Sequence, residues 1–259
     1  MKRMIFSALL AASLLCACET EPRESYNRTE PGYIMFLNNI GGYNTVSEKL
    51  TLMFRIDEYV GAETDEERKR VHDRYFYDYY VDYDAAKGEF TIRYNGSGRD
   101  NLYVNTGGRR IGETGAEWSG YYERGSDFVP TVKCVAENRY EVVYEEREYR
   151  RDASTKYRVS VEAEVAEAVN NHGMSLKMNG TCESCNRSRN ATFIVEGSAA
   201  DLLWQYGRFA SGSLGLSTEN GGTVDTATAE IRDIDYVLVS YGGYKDEYPY
   251  WGYHYENYE

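Results

Sequence analysis

Lys156-Tyr157-Arg158-Val159-Ser160-Val161-Glu162-Ala163-Glu164-Val165 alternates without a break: tyrosine, valine and alanine at odd positions, charged or hydroxyl side chains at even ones. Successive side chains of a strand point to opposite faces, so this stretch reads as a long strand with one face buried and one wet. At its end Val161, Val165, Ala168 and Val169 also sit at helical spacing, which leaves the end of the strand open. Upstream, Val132, Cys134 and Ala136 alternate, turn near Asn138 and return as Tyr140, Val142 and Tyr144. Downstream, Met174, Leu176 and Met178 make a further strand, followed by Phe193 to Val195, Val224 to Ile231 and Ile234 to Val239. No helix follows strand in regular alternation, so a parallel α/β sheet is excluded as the organising scheme. The expectation is a mainly β chain, an antiparallel β-sandwich or partly open β-barrel with one or two short helices.

The N-terminal half carries the same signal with interruptions. Tyr33-Ile34-Met35-Phe36-Leu37 is a short apolar run closed by Gly41-Gly42, which reads as a turn. Leu50, Leu52, Phe54 and Ile56 alternate with Lys49, Thr51, Arg55 and Asp57 and read as a strand, Met53 being the exception. Thr64-Asp65-Glu66-Glu67 has capping-box spacing, which predicts a helix of about three turns through Val71. Glu89-Phe90-Thr91-Ile92-Arg93-Tyr94 is a clean alternation entered through Ala85-Ala86-Lys87-Gly88, so a hairpin is expected there. From Gly107 to Gly125 the glycines crowd and the period is lost, which reads as loop and as a sub-domain boundary near 107–128. Ser198-Ala199-Ala200-Asp201 reads as the cap of a short helix through Leu202, Leu203 and Tyr206.

The first residues carry an address. Lys2 and Arg3 precede an apolar run from Met4 to Leu15 and then small residues, the three parts of a secretory signal over residues 1–17. That run is too short for a bilayer, which needs about 20 residues. Leu15-Cys16-Ala17-Cys18 resembles the lipobox of bacterial lipoproteins, in which cleavage precedes a cysteine that then carries lipid. Cys18 fits because small Ala17 precedes it and Leu15 lies three back, whereas Leu15 is too bulky to stand directly before a lipidated Cys16. The resemblance implies a protein lipid-anchored at the bacterial outer membrane, on either its periplasmic or its surface face. Glu19 to Glu24 has no apolar residue, so 18–30 reads as a flexible tether, and its acidic start is similar to the surface-export signals of Bacteroidetes lipoproteins. The globular domain then spans 31–240 and a tyrosine-rich tail 241–259.

Cleavage after residue 17 would leave 242 of the 259 residues and remove two of the 29 basic side chains, so 27 face 42 acidic ones, net −15. Such a charge argues against nucleic acid as a partner, because phosphates would be repelled. Cys134 alternates with Val132 and Ala136 and is expected to face inward as a small apolar residue. Cys182-Glu183-Ser184-Cys185 falls in a polar stretch, Asn179 to Asn190, which reads as a loop closed by a disulfide in an oxidising compartment. A zinc site would need two more ligands, and only His172 lies nearby, so no metal is expected. Asp78, Asp82, Asp84 and Glu89 gather around the hairpin, where they read as solvated carboxylates without the glycine and terminal glutamate of a calcium-binding loop. No nucleophile and base stand together, His72, His172 and His254 are far apart, and no catalytic residue or cofactor follows from the sequence.

The tail is the least ordinary stretch. Tyr248, Tyr250, Trp251, Tyr253 and Tyr255 offer rings with polar edges that can stack on a sugar or a partner protein. The expectation is a non-enzymatic, membrane-anchored binding module for glycan or a protein. The alternatives are an exported polysaccharide hydrolase with a carboxylate pair and a lipocalin-like carrier with an empty barrel.

Overall fold

Residues 31–60 depart most from the sequence pattern. In the computed structural model, which describes residues 31–94, 101–123, 130–148, 153–168, 171–186, 191–205, 208–220, 223–231, 236–241 and 244–249, the strand expected at Leu50–Ile56 and the turn at Gly41-Gly42 both belong to one helix, α1 (Pro31–Val60). Thirty residues of helix extend about 45 Å. Tyr43, Val46, Leu50, Met53 and Ile56 are buried at helical spacing, and Thr51 is buried between them. The hydroxyls of Ser47 and Thr51 donate to the carbonyls of Tyr43 and Ser47, both at 2.8 Å, so these polar groups enter the core satisfied.

The second helix, α2 (Asp65–Tyr75), starts where its capping box places it. Thr64 Oγ1 accepts from the Glu67 amide at 3.2 Å, and Glu67 Oε2 accepts from the Thr64 amide at 3.1 Å. Its charged side chains face outward, and among its residues Val71 is buried.

Thirteen strands follow and pair strictly in chain order, each antiparallel to the next. They are β1 (Tyr79–Asp84), β2 (Glu89–Tyr94), β3 (Leu102–Asn105), β4 (Glu117–Tyr122), β5 (Thr131–Ala136), β6 (Arg139–Glu148), β7 (Ala153–Ala168), β8 (Asn171–Asn186), β9 (Ala191–Gln205), β10 (Arg208–Asn220), β11 (Thr223–Ile231), β12 (Tyr236–Tyr241) and β13 (Tyr244–Pro249). The chain is thus mainly β and antiparallel, with two helices among the described residues and an open sheet in which β1 and β13 are outermost among the described strands. The opening alternation lies in β7, and Val159, Val161 and Ala163 are buried as its period requires.

Three local expectations are corrected. The stretch read as loop from Gly107 to Gly125 contains β4, whose Trp118 is fully buried and donates from Nε1 to Arg109 O at 3.0 Å. Among the described residues β4 pairs with β3 before it and β5 after it. Residues 198–201 stay extended in β9 because β8 and β10 hold them on both sides. Cys182 and Cys185 lie within β8, where Cys182 faces Tyr157 and Val195 in register.

The helix α1 crosses the strands of the sheet. Tyr43 Oη reaches Gly180 O of β8 at 3.5 Å and Ser47 contacts Met178 Sδ, whereas further along Phe54 meets Tyr140 of β6 edge-on with ring centres 5.2 Å apart, and Tyr59 meets Phe90 of β2 at 5.3 Å. One face of the sheet is therefore the core, filled by α1 against Phe90, Val104, Trp118, Val132, Val142, Val161 and Met178, all essentially inaccessible. Each such side chain contributes on the order of 1.5–3 kcal/mol by leaving water. Phe76, which follows α2, closes this core beside Tyr59 and Phe90.

The β1–β2 turn needs its glycine. Gly88 has φ +63°, and a Cβ there would stand 2.4 Å from the Gly108 amide nitrogen. That close approach lets Gly88 O accept from both the amide and the hydroxyl of Thr106, at 2.7 and 2.9 Å.

Candidate functional site

The face of the sheet turned away from α1 carries the functional features that the described residues offer. Strand alternation puts Phe90 and Ile92 inward, hence Glu89, Thr91 and Arg93 outward, and the same parity turns out Tyr80 and Asp82 on β1, Tyr103 on β3 and Tyr121 on β4. Asp82, Thr91, Tyr103 and Tyr121 stand opposite one another in register across four strands. Tyr103 and Tyr121 are stacked, with ring centres 5.0 Å apart and planes 14° from parallel. Such a pair gains about 0.5–1.5 kcal/mol beyond the area it buries.

Glu89 fixes this pair from the side. Tyr121 Oη donates to Glu89 Oε2 at 3.1 Å, which orients the ring while leaving Tyr121 42 % exposed. Partial burial, then the Glu89 bond and charge, push the Tyr121 phenol above its ordinary pKa, so it remains a hydrogen-bond donor at neutral pH. Tyr80 on the same face is 68 % exposed, and Tyr77 just before β1 is 73 % exposed. Glu89, Asp82 and Arg93 supply polar groups around the rings. The result is a wet aromatic surface carried on adjacent strands, suited to stacking on a ring-shaped polar ligand. No family model matches this chain, and searches of curated proteins and of solved structures find no match either.

The residues singled out from the sequence fare differently. Cys18, Tyr250, Trp251, Tyr253 and Tyr255 lie outside the described residues, as does His254. Tyr248 is in β13, opposite Val237 of β12. Cys182 and Cys185 are three residues apart on an extended strand, which places their α-carbons about 10 Å apart. A disulfide spans less than about 7 Å between α-carbons, so a bond between them requires β8 to leave the extended path there. Cys134 is a buried thiol, as its alternation implies, and Sγ donates to Ala136 O at 3.2 Å and Gly112 O at 3.5 Å. Burial raises its pKa, which keeps it protonated and unreactive.

Of the hairpin carboxylates, Asp84 and Glu89 stand opposite each other in register. Asp84 accepts from the amides of Ala86 and Lys87 at 3.1 and 3.3 Å and from Lys87 Nζ at 2.9 Å, so it serves its own turn. No group of three metal-ligating side chains occurs among the described residues. The tyrosine pair escaped the sequence because Glu117-Trp118-Ser119-Gly120-Tyr121-Tyr122 has no apolar alternation. The one available signal was Tyr103 and Tyr121 at outward positions of adjacent strands.

Proposed function

We propose that this protein is a non-enzymatic binding module, held at the bacterial outer membrane by lipid on Cys18, and that its tyrosine face takes glycan. A partner protein is the second class of ligand for such a module. The observation that carries the reading is the Tyr103–Tyr121 stack, oriented by Glu89 on the solvent side of the sheet. Aromatic rings of this kind cover the apolar face of a sugar while their hydroxyls and the flanking carboxylates bond its hydroxyl groups.

Two alternatives fit the geometry less well. A polysaccharide hydrolase needs a carboxyl group whose pKa is raised so that it can donate a proton. The described carboxylates with displaced pKa values, Glu67, Asp73, Asp84 and Glu113, are all held low by hydrogen bonds from backbone or side-chain donors. A lipocalin-like carrier needs an empty interior, and the inward face of this sheet is packed against α1.

The test is glycan binding by the lipidated protein in nanodiscs, with Tyr121→Ala beside it. The expected result is at least a ten-fold loss of affinity with the melting temperature lowered by no more than a few degrees. Glycan binding that survives the substitution, or an absence of glycan binding in the parent, overturns the reading. Lipid labelling that persists in Cys18→Ser overturns the anchor.

A further inference from the structure

We propose that the open edge of β1 is a docking site for an extended protein segment with alternating basic and apolar residues, which joins the sheet as a fourteenth strand. Among the described residues nothing pairs with β1 on the side away from β2. The first residue of that edge is closed by the protein itself: the Tyr79 amide donates to Phe76 O at 2.8 Å, and Tyr79 O lies 3.0 Å from His72 Nε2 of α2. Since the backbone groups of alternate residues point the same way, the amides and carbonyls of Val81 and Tyr83 also point outward, and no described strand covers them. Two residues on, the edge is therefore open and short.

The side chains on each face say what the incoming strand must carry. Val81 and Tyr83 lie on the inward face opposite Ile92 and Phe90, yet at the edge they are only half-buried, so apolar side chains beside them would extend the core. On the outward face the neighbours are Tyr80, 68 % exposed, and Asp82, also exposed. Asp84 is matched by Lys87, which leaves Asp82 as the charge at this edge. An ammonium or guanidinium group there meets a carboxylate and an aromatic face together. A second copy of β1 would instead set Asp82 against like charge on a chain of net −13, and a glycan has no strand backbone to offer. Addition of a strand to a sheet edge draws affinity from main-chain bonds and specificity from alternate side chains. The edge shares Tyr80 and Asp82 with the outward tyrosine face, but the Tyr103–Tyr121 pair itself stands on β3 and β4, two and three strands away from β1.

The experiment uses the full lipidated protein in phosphatidylcholine nanodiscs, which do not themselves attract cations. The probes are fluorescent hexapeptides, acetyl-(Lys-Val)3-amide and acetyl-(Glu-Val)3-amide. The lysine peptide is expected to bind at least ten-fold tighter, to slow hydrogen exchange at the Val81 and Tyr83 amides, and to lose at least ten-fold in affinity to Val81→Pro. Proline is tolerated on an edge strand but removes the donor. Should that variant not fold, Asp82→Asn supplies the second arm and should weaken binding and flatten its salt dependence. Tyr121→Ala should leave peptide binding unchanged even where it abolishes glycan binding. Equal affinity for the two peptides, no binding of either, or unprotected Val81 and Tyr83 amides overturns the proposal.

Discussion

Asp57, in the last turn of α1, receives Arg110 Nε at 2.9 Å and Nη2 at 2.7 Å across 53 positions of sequence, and the same carboxylate accepts from the Ile111 amide at 2.8 Å. This fork ties the end of the helix to the β3–β4 connection. The hydrogen bonds to the carboxylate also raise the Arg110 pKa, so the guanidinium stays charged. Arg110 is about half exposed, which screens the attraction, so Asp57→Ala is expected to cost about 1–2 kcal/mol in urea unfolding, mostly from the orphaned Ile111 amide. The fork also explains Gly61, where a Cβ would stand 2.2 Å from Arg110 Nη1. Gly61→Ala should destabilise the parent and be tolerated in Arg110→Ala, and additive effects of the two changes would refute the steric account.

The capping box of α2 gives a second prediction. Thr64→Ala should cost about 1 kcal/mol, read from denaturant midpoints. Glu67, its reciprocal partner, is held below its ordinary pKa of 4.5 by the Thr64 and Glu63 amides. A depressed carboxylate adds stability that is present above its unfolded pKa and lost as pH falls through its folded one. Glu67→Gln should therefore be less stable than the parent at neutral pH and converge with it as the pH falls below 4.5 and through the lowered folded value. A gap that persists in acid would assign the effect to something other than the ionised carboxylate.

Alkaline pH probes the other side of the core. Tyr140, packed against Phe54 and 3 % exposed, has its phenol pushed up to about 12 by burial, then by the neighbouring Cys134 and Asp57. A raised phenol favours the neutral form in the folded state, so its contribution is complete below the unfolded value of 10.0 and is lost as pH rises towards 12. Tyr140→Phe should flatten the decline in stability between those limits. An identical decline in parent and variant would remove Tyr140 as its cause.

The elements that the sequence made legible are those with one strong local cause. Alternation in β2, β5, β6 and β7 survives because those strands are wet on one face and dry on the other, and Thr64 with Glu67 marks α2 through bonds made within four residues. The helix α1 hid because it is buried on more than one side. Leu52 and Phe54 off its main stripe are partly covered as well, so a strand period could be read through 50–56 although Met53 broke it. Gly41-Gly42 costs about 1 kcal/mol per glycine in a helix, a penalty that packing overrides. Strand β9 keeps Ser198 to Asp201 extended through pairing on both sides, a non-local cause. The tyrosine site was illegible for a related reason: among 26 tyrosines, only the register of β3 with β4 selects Tyr103 and Tyr121.

The cysteine pair tests the reach of β8. If the strand is extended through Asn186, the α-carbons of Cys182 and Cys185 stand about 10 Å apart, too far for a disulfide, and peptide mapping of the non-reduced protein should find no link between them. A 182–185 disulfide would mean that β8 ends before Cys182, and the register of Cys182 with Val195 would be lost with it.

The tail separates structure from recognition in one experiment. The strand β13 pairs only with β12, and β12 stands three strands beyond β9 in the sheet, whereas α1 packs over β6 to β10. Removing everything after Pro249 keeps every described strand, so the melting temperature should not fall. Removing everything after Gly243 takes β13 away and bares β12, an apolar strand with Val237, Leu238 and Val239, as a new edge. That protein should keep the α1 core and lose no more than a few degrees, while self-association rises because an uncovered edge invites pairing. If Tyr250, Trp251, Tyr253 and Tyr255 bind ligand, the shorter deletion already removes affinity without touching stability. If instead the deletion after Pro249 lowers the melting temperature sharply, those rings complete the fold and the tyrosine face of β3 and β4 is left as the recognition surface.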